Sequence, residues 1–395
     1  MKNLFKLFGI IALAAIIGFS LSACDPDDGG GGGGNEDTST VVPGANASEK
    51  FNWLKTGAVD GGSYTINISA DEAISPQELK VAPGSSNNMR SAASGIKVTL
   101  KGSGGTRELS PNENGALFTI KANVTLVLDS GITLKGRTGN SKTLVIVEKD
   151  GALIMNSGAT IRDNDYNGDG GGVYVYNDAS FTMNGGTITN CTVWNGYGRD
   201  GGGVVVFGGG TFTMNNGTIT KCSARSGGGV LVLGGIFTMN GGQISENKSL
   251  VYLGAAYDGG SGVCVTNDYF YYNTTGVFTM NGGTIANNTS HNTGGGVTAY
   301  DGEFYMKGGT ISGNESSTGG GVYVSRALFE KTGGTIYGEG AGTNSNVATY
   351  NENAGQAVRK DGYSHGGRAK VDATHSAGRL YAGNNTDEGA WIALP

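Results

Sequence analysis

The feature that most constrains this chain is a repeat of about 25 residues, which joins a glycine triplet, a valine-rich segment and a segment that ends in Asn-Gly. The sequence GGGVYVYNDASFTMNGGTITN starts at Gly170 and recurs in modified form along the chain. Aligned on the valine after the glycines, the copies start at Val173, Val204, Val230, Val263, Val297 and Val322. The longer gaps carry insertions. Each copy therefore predicts one coil of a repeat array.

Within a copy, apolar and polar residues alternate with period two, and no segment shows helical spacing. The pattern predicts three short strands per coil, separated by glycine or Asn-Gly corners. The predicted inward columns are Val173, Val175 and their equivalents, then Phe181, Phe212, Phe237, Phe278 and Phe304, then Met183, Met214, Met239, Met280 and Met306, then Ile188, Ile219, Ile244, Ile285, Ile311 and Ile336. Stacking like residues on like at about 4.8 Å closes one continuous core. The sequence predicts an all-β parallel solenoid of about 8 to 10 coils.

The combination of GGGV with FTMNGGTI, between Leu117 and Tyr337, resembles a known repeat. It is similar to the right-handed parallel β-helix repeats of bacterial surface proteins, notably the passengers of polymorphic outer-membrane proteins and autotransporter adhesins. The resemblance implies a right-handed β-helix, in line with the general preference of parallel crossover connections for right-handedness. It also implies a surface role. Those passengers precede a membrane β-barrel, and here a lipid anchor is expected in its place.

The N-terminus predicts export. Lys2 and Lys6 precede an apolar run, and the string Leu-Ser-Ala-Cys ends at Cys24. This string resembles the lipobox of bacterial lipoproteins, which implies that residues 1–23 are a signal peptide and that Cys24 is acylated. The membrane is then a partner, and the expected location is the bacterial envelope, at the outer membrane or cell surface.

The rest of the chain divides by composition. Residues 24–44 are acidic and glycine-rich and predict a disordered tether. Residues 45–116, which include the helix-like SPQELKVA, are expected to form an N-terminal cap with the first strands. Residues 117–343 are the predicted repeat array, and residues 344–395 the C-terminal cap, in which GQAVRKDG imitates one more first strand.

Charge and cysteine content exclude some functions. The formal net charge is −6 and there is no basic stripe, so nucleic acid is not an expected partner. Cys191 and Cys222 occupy one column with Asn164, Asn247, Asn288 and Asn314. The two cysteines are predicted to be buried free thiols, and a disulfide between them is the alternative. Cys264 is expected to point outward. With three histidines and no Cys-x-x-Cys pair, zinc has little support.

Insertions at the corners supply the candidate binding residues. TVWNGYGRD follows Cys191 and KSLVYLGAAYDGGS follows Asn247. They contribute Trp194, Tyr197, Tyr252 and Tyr257, with Tyr166 one coil earlier, and these rings suit a glycan or a host surface protein. The alternative is local packing over the coil edge. A second insertion, NDYFYYNTTGV, is expected at a different corner, as a separate patch or a buttress.

Two classes of function remain open. One is a binding, adhesion or structural surface rod without catalytic activity; the other is a polysaccharide-processing enzyme, a lyase or glycoside hydrolase, because enzymes share this fold. The best local set for catalysis is Asp268, Asp301 and Glu303 with Arg326, and its alternative interpretation is a surface charge ladder.

No cofactor is expected. The series Asp163, Asp165, Asn167, Gly168 and Asp169 matches the first half of a calcium loop. The twelfth position holds Tyr174 instead of a bidentate Glu, which favours a polar corner over a calcium site.

The anchor gives a direct prediction. Replacing Cys24 with Ser removes the thiol that the acyl chain would modify, so the precursor should stay unprocessed by the lipoprotein route. Metabolic labelling with a fatty acid should detect no label on the variant. Continued acylation of the variant would contradict the assignment.

Overall fold

The computed structural model describes residues 39–81, 95–168, 170–194, 201–250, 259–338, 342–349, 358–360, 369–371, 380–382 and 391–392. These residues belong to one compact unit, Thr38–Pro395. Their strands form four parallel sheets of 13, 11, 10 and 7 strands, because each strand pairs with its equivalents one coil before and after. The fold is an all-β parallel solenoid of about 10 coils, which confirms the predicted fold class.

The sheets are numbered here in the order in which a coil passes through them. Sheet 1 contains β4 Gln77–Leu79, β7 Phe118–Ile120, β10 Val145–Val147, β14 Val173–Val175, β18 Val204–Phe207, β22 Val230–Leu233, β26 Val263–Thr266, β30 Val297–Tyr300, β34 Val322–Ser325, β38 Val358–Lys360 and β40 Leu380–Ala382. Sheet 2 contains β1 Thr40–Val41, β2 Ser63–Ile68, β5 Ile96–Gly102, β8 Val124–Leu128, β11 Ala152–Met155, β15 Ser180–Met183, β19 Thr211–Met214, β23 Ile236–Met239, β27 Val277–Met280, β31 Glu303–Met306, β35 Leu328–Lys331, β39 Ala369–Val371 and β41 Trp391–Ile392.

Sheet 3 contains β3 Glu72–Ile74, β6 Arg107–Pro111, β9 Ile132–Lys135, β12 Thr160–Arg162, β16 Thr187–Thr189, β20 Thr218–Thr220, β24 Gln243–Ser245, β28 Thr284–Ala286, β32 Thr310–Ser312 and β36 Thr335–Ile336. Sheet 4 contains β13 Asp165–Tyr166, β17 Thr192–Val193, β21 Ser223–Ala224, β25 Lys248–Ser249, β29 Thr289–Ser290, β33 Glu315–Ser316 and β37 Val347–Ala348. Sheet 4 was not among the three predicted strands of a coil, since two-residue strands are too short to show alternation.

The predicted inward columns form the core. The valine, phenylalanine, methionine and isoleucine columns are buried, and the six rings from Phe181 to Phe329 stack with centroids 4.7–5.0 Å apart. This distance matches the spacing between paired strands, so each ring continues the column of the coil below. At the C-terminal end Lys331 takes the place of the methionine and is buried as well.

The glycine triplet is required by the closeness of neighbouring coils. A Cβ atom on Gly229 would lie 2.6 Å from the carbonyl oxygen of Gly262 in the next coil. The same approach, at 2.5–2.6 Å, recurs at the glycine directly before the first-strand valine in other coils, at Gly172, Gly203, Gly262 and Gly296. Since the obstructing atom is backbone, a side chain here would push two coils apart, at a cost of about 1–3 kcal/mol.

The column that follows the third strand is a ladder of buried amides. The side-chain amide of Asn247 donates to the Oδ1 of Asn288 at 3.0 Å, and Asn288 donates to Asn314 at 2.9 Å. Cys191 and Cys222 replace asparagine in this column and are buried free thiols, which agrees with the prediction. Burial, with a contribution from the Cys191 thiol, raises the pKa of Cys222 well above its usual value.

A helix covers the first coils, where it was not expected. Asn46 caps the N-terminus of helix α1, Ala47–Gly57: its side chain accepts a hydrogen bond of 2.9 Å from the backbone amide of Glu49. Its buried Phe51 lies 5.4 Å from the ring of Phe118. The helix-like reading of SPQELKVA was wrong, because Gln77–Leu79 pairs in register with Phe118–Ile120 as strand β4.

The two ends differ from the composition-based outline in detail. β1 pairs with β2, so Thr40–Val41 is part of the fold although it lies in the stretch assigned to the tether. A short 3₁₀ helix, Gly342–Asn344, follows the last strand of sheet 3. Val358–Lys360 pairs with Val322–Val324, as expected for one more first strand, and β39 to β41 extend sheets 1 and 2 further into the predicted cap.

The stacked core yields a stability prediction. Phe237→Asp places a charge between Phe212 and Phe278 in a dry column, so the free energy of unfolding should fall by more than about 4 kcal/mol. Thr238→Asp, the adjacent and partly exposed position, is the control and should cost less than about 1 kcal/mol. Urea unfolding followed by circular dichroism measures both. Equal unfolding midpoints for the two variants would contradict the inward assignment.

Candidate functional site

One corner of the coil, between sheets 1 and 2, carries most of the surface chemistry. Here the chain turns within a few residues through a left-handed backbone conformation, with φ of 56° at Asp178, 62° at Asp301 and 51° at Arg326. Between β26 and β27 the corner expands to residues 267–276. We call this segment the aromatic loop, because it contains Tyr269, Phe270, Tyr271 and Tyr272.

The aromatic loop is closed by a dense set of hydrogen bonds. Asp268 and Thr274 exchange backbone bonds of 2.9 and 3.1 Å, and the amide of Gly276 donates to the Oδ1 of Asn267 at 3.1 Å. The buried carboxylate of Asp268 accepts three successive backbone amides, those of residues 270, 271 and 272, at 3.1, 3.2 and 2.8 Å. Charge-assisted bonds of this kind are about twice as strong as neutral ones. The carboxylate therefore holds the backbone beneath the rings in one conformation.

The four rings point largely into solvent. Their exposed fractions are 55% for Tyr269, 90% for Phe270, 63% for Tyr271 and 46% for Tyr272. On their inner side Tyr271 and Tyr272 meet the ring of Phe207 edge-on, with centroids 5.9 and 5.5 Å apart. The loop is thus anchored on its inner edge and exposed on its outer edge.

Phe207 belongs to a second apolar cluster, on the outer face of sheet 1. Its members are buried although they point away from the core: Tyr174, Val205, Phe207, Leu231, Leu233 and Cys264, with Tyr176 packed against them. Cys264 was expected to point outward and does, since Val263 and Val265 on either side of it line the core, but the cluster buries it. This cluster supports the aromatic loop from below.

Ion pairs lie along the same corner on both sides of the aromatic loop. Lys149 meets Asp178 at 2.6 Å, and Arg326 meets Asp301 at 2.6 Å while its guanidinium lies 4.4 Å from the ring centre of Tyr300. The hydrogen bond and charge of Asp178 raise the pKa of Lys149, and Tyr272 acts weakly in the same direction. The same bond lowers the pKa of Asp178. The corner therefore combines rings with paired charges.

Of the aromatic residues predicted as a binding site, the structure describes Trp194 and Tyr166. Trp194 is 54% exposed, and its amide donates to the carbonyl of Tyr166 in the neighbouring coil at 3.2 Å. The ring of Tyr166 lies over Gly168, which agrees with the alternative of local packing. Tyr197, Tyr252 and Tyr257 lie outside the described residues, so their proposed role stays a prediction.

The carboxylates considered for catalysis each have a structural partner. Asp268 holds the aromatic loop and Asp301 pairs with Arg326. Glu303 accepts from the hydroxyl of Tyr305 at 2.9 Å. Burial, followed by this hydrogen bond, raises the pKa of Tyr305 to about 12. The charge-ladder interpretation fits only the pair of Asp301 and Arg326, because Asp268 is bonded to backbone amides and Glu303 to a tyrosine hydroxyl.

The segment considered for calcium is also engaged in protein contacts. The carboxylate of Asp163 forms an ion pair with Arg162 and accepts a hydrogen bond of 3.2 Å from the side-chain amide of Asn190. In the part of the chain that the structure describes, no group of three or more His, Cys, Asp or Glu side chains is placed to hold a metal. Asp169 lies outside that part.

Sequence reasoning missed Phe207 and the outer cluster. A signal was present, since Val204–Phe207 and Val230–Leu233 are continuous apolar runs that indicate a strand covered on both faces. The alternation of the inward valines predicts only one buried face of these strands.

Comparison with known proteins supports the fold alone. Residues 172–332 match the family model described as a right-handed β-helix region, which agrees with the predicted handedness. No curated protein and no solved structure matches the chain. Among the described residues, no helix is long and apolar enough to cross a membrane.

The role of Asp268 can be tested directly. Asp268→Ala removes three charge-assisted hydrogen bonds, so the aromatic loop should open and chymotrypsin should cut after residues 269–272 at least about tenfold faster. Mass spectrometry identifies the cuts. Asp178→Ala, which removes an exposed carboxylate from the same corner, is the control and should leave this rate unchanged. Equal rates for Asp268→Ala and the parent protein would show that the carboxylate does not hold the loop.

Proposed function

We propose that this protein is a lipid-anchored binding rod of the bacterial cell envelope, without catalytic activity. The anchor rests on the lipobox-like string that ends at Cys24, and the following acidic, glycine-rich stretch would act as a spacer. Acyl chains on Cys24 would hold the protein at the membrane.

The observation that carries the binding role is the aromatic loop. A run of four solvent-exposed rings is unfavourable in water, yet Asp268 and Thr274 hold this run in a defined conformation. Clusters of exposed apolar groups on soluble surfaces commonly mark interaction sites. Because the loop is already ordered, a ligand would not have to supply the free energy of ordering it.

Polysaccharide processing is the second candidate, and it rests on Asp301, Glu303 and Arg326 lying in adjacent coils. Glycosidases need two carboxyl groups at a defined separation, with one of them able to donate a proton. The contacts of these residues favour a structural role, as described above. Catalysis therefore ranks below binding.

The decisive experiment uses the detergent-solubilised full chain on an array of glycans and host surface proteins. We expect retention on some array members, and no release of reducing ends or unsaturated products from the same glycans. Product release at a steady rate would overturn the non-catalytic assignment. Absence of retention on every member would overturn the binding assignment.

A further inference from the structure

The aromatic loop differs from the other exposed rings in how it is built. Among the residues that the structure describes, four of the nine large hydrophobic side chains that are more than about one third exposed fall at consecutive positions, Tyr269 to Tyr272. Consecutive placement on a hydrogen-bonded loop indicates a platform with a common ligand.

The chemistry of the platform favours a sugar. Three of its four rings are tyrosines, which present an apolar face and a hydroxyl at the edge. A sugar ring has the matching arrangement, with C–H groups on its faces and hydroxyls around its rim. A polar group stands beside the rings, because the side-chain amide of Asn267 lies 3.4 Å from the Tyr269 hydroxyl.

The charges of the corner favour a neutral ligand over an acidic one. Each cation next to the loop has an anion against it, Asp178 at Lys149 and Asp301 at Arg326. Farther along the same corner Lys121 is paired with Glu148 at 2.7 Å. A polyanion approaching any of these cations would meet a carboxylate as well. Neutral hydroxyls can accept from the cations and donate to the carboxylates without that repulsion.

The corner is linear, which favours a polymer. The strands that precede its turns, from β10 to β34, are seven consecutive strands of sheet 1. At about 4.8 Å per step they span about 29 Å along the rod. The aromatic loop lies within this span, with ion pairs on both sides, so a chain of several sugar units can contact all three groups.

We propose that the aromatic loop, with the corner that carries it, binds a neutral polysaccharide that lies along the rod. The rings of Phe270 and Tyr271 would stack on sugar faces, and the flanking ion pairs would hydrogen-bond the hydroxyls. This inference rests on the proposed binding function and specifies its ligand class and its site.

Affinity electrophoresis of the detergent-solubilised full chain tests the ligand class. The probes are hydroxyethyl cellulose, β-glucan and galactomannan as neutral polymers, and polygalacturonate as an acidic one. We expect at least one neutral polymer to retard the protein, and polygalacturonate to retard it less. Retardation by polygalacturonate alone, or by none of the four, would overturn the inference.

Variants test the site. The double variant F270A/Y271A should weaken binding to the retarding polymer about tenfold or more, since two stacking rings are lost. Because Tyr271 also meets the ring of Phe207, the thermal midpoint of the double variant should fall slightly, whereas Phe270→Ala alone, at the 90% exposed position, should keep the midpoint of the parent and still weaken binding. Tyr271→Phe keeps the ring and should have a smaller effect. Val347→Ala removes an exposed apolar side chain from sheet 4, away from this corner, and should leave binding unchanged.

The outcomes separate this inference from the broader function. If the parent chain binds a neutral polymer and F270A/Y271A binds it equally well, the site is wrong while the binding role stands. If F270A/Y271A still binds the neutral polymer but is no longer retained on a protein of the array that retains the parent, the loop is a protein contact and the sugar assignment is wrong.

Discussion

The structure depends on the close, in-register stacking of parallel coils. Neighbouring coils approach to within one strand spacing, so every backbone ladder continues from coil to coil and like side chains stack on like. Glycine permits this approach, because a Cβ at Gly203 or Gly229 would meet a carbonyl oxygen at 2.6 Å. The phenylalanine stack and the amide ladder of Asn247, Asn288 and Asn314 follow from the same spacing.

The same stacking explains why surface chemistry is arranged in lines. A residue at a given offset in one coil lies next to its equivalent in the next, so Lys149 meets Asp178 and Asp301 meets Arg326 across coils. An insertion does not disturb this order, because it leaves at a corner and the strands on either side remain paired. A solenoid can thus add a surface loop without changing its core.

The extent to which the site was predictable differs from residue to residue. The insertion with Tyr269 to Tyr272 was visible as a patch or a buttress; in the structure its inner rings rest on Phe207 while Phe270 is exposed. Asp268 was weighed as a catalytic carboxylate. Its true partners are backbone amides two to four residues later, and such contacts depend on how the loop folds.

The sequence by itself determined the period of the array, the inward columns and the buried position of Cys191 and Cys222. A period-two pattern specifies which side chains share a face, and repetition specifies which of them stack. Only the tertiary structure decided the fourth sheet, the covering helix α1 and what packs against the outer face of the continuous apolar runs to form the cluster around Phe207. These arise from contacts between segments that no local periodicity connects, and the loop that presents Phe270 is held by such contacts.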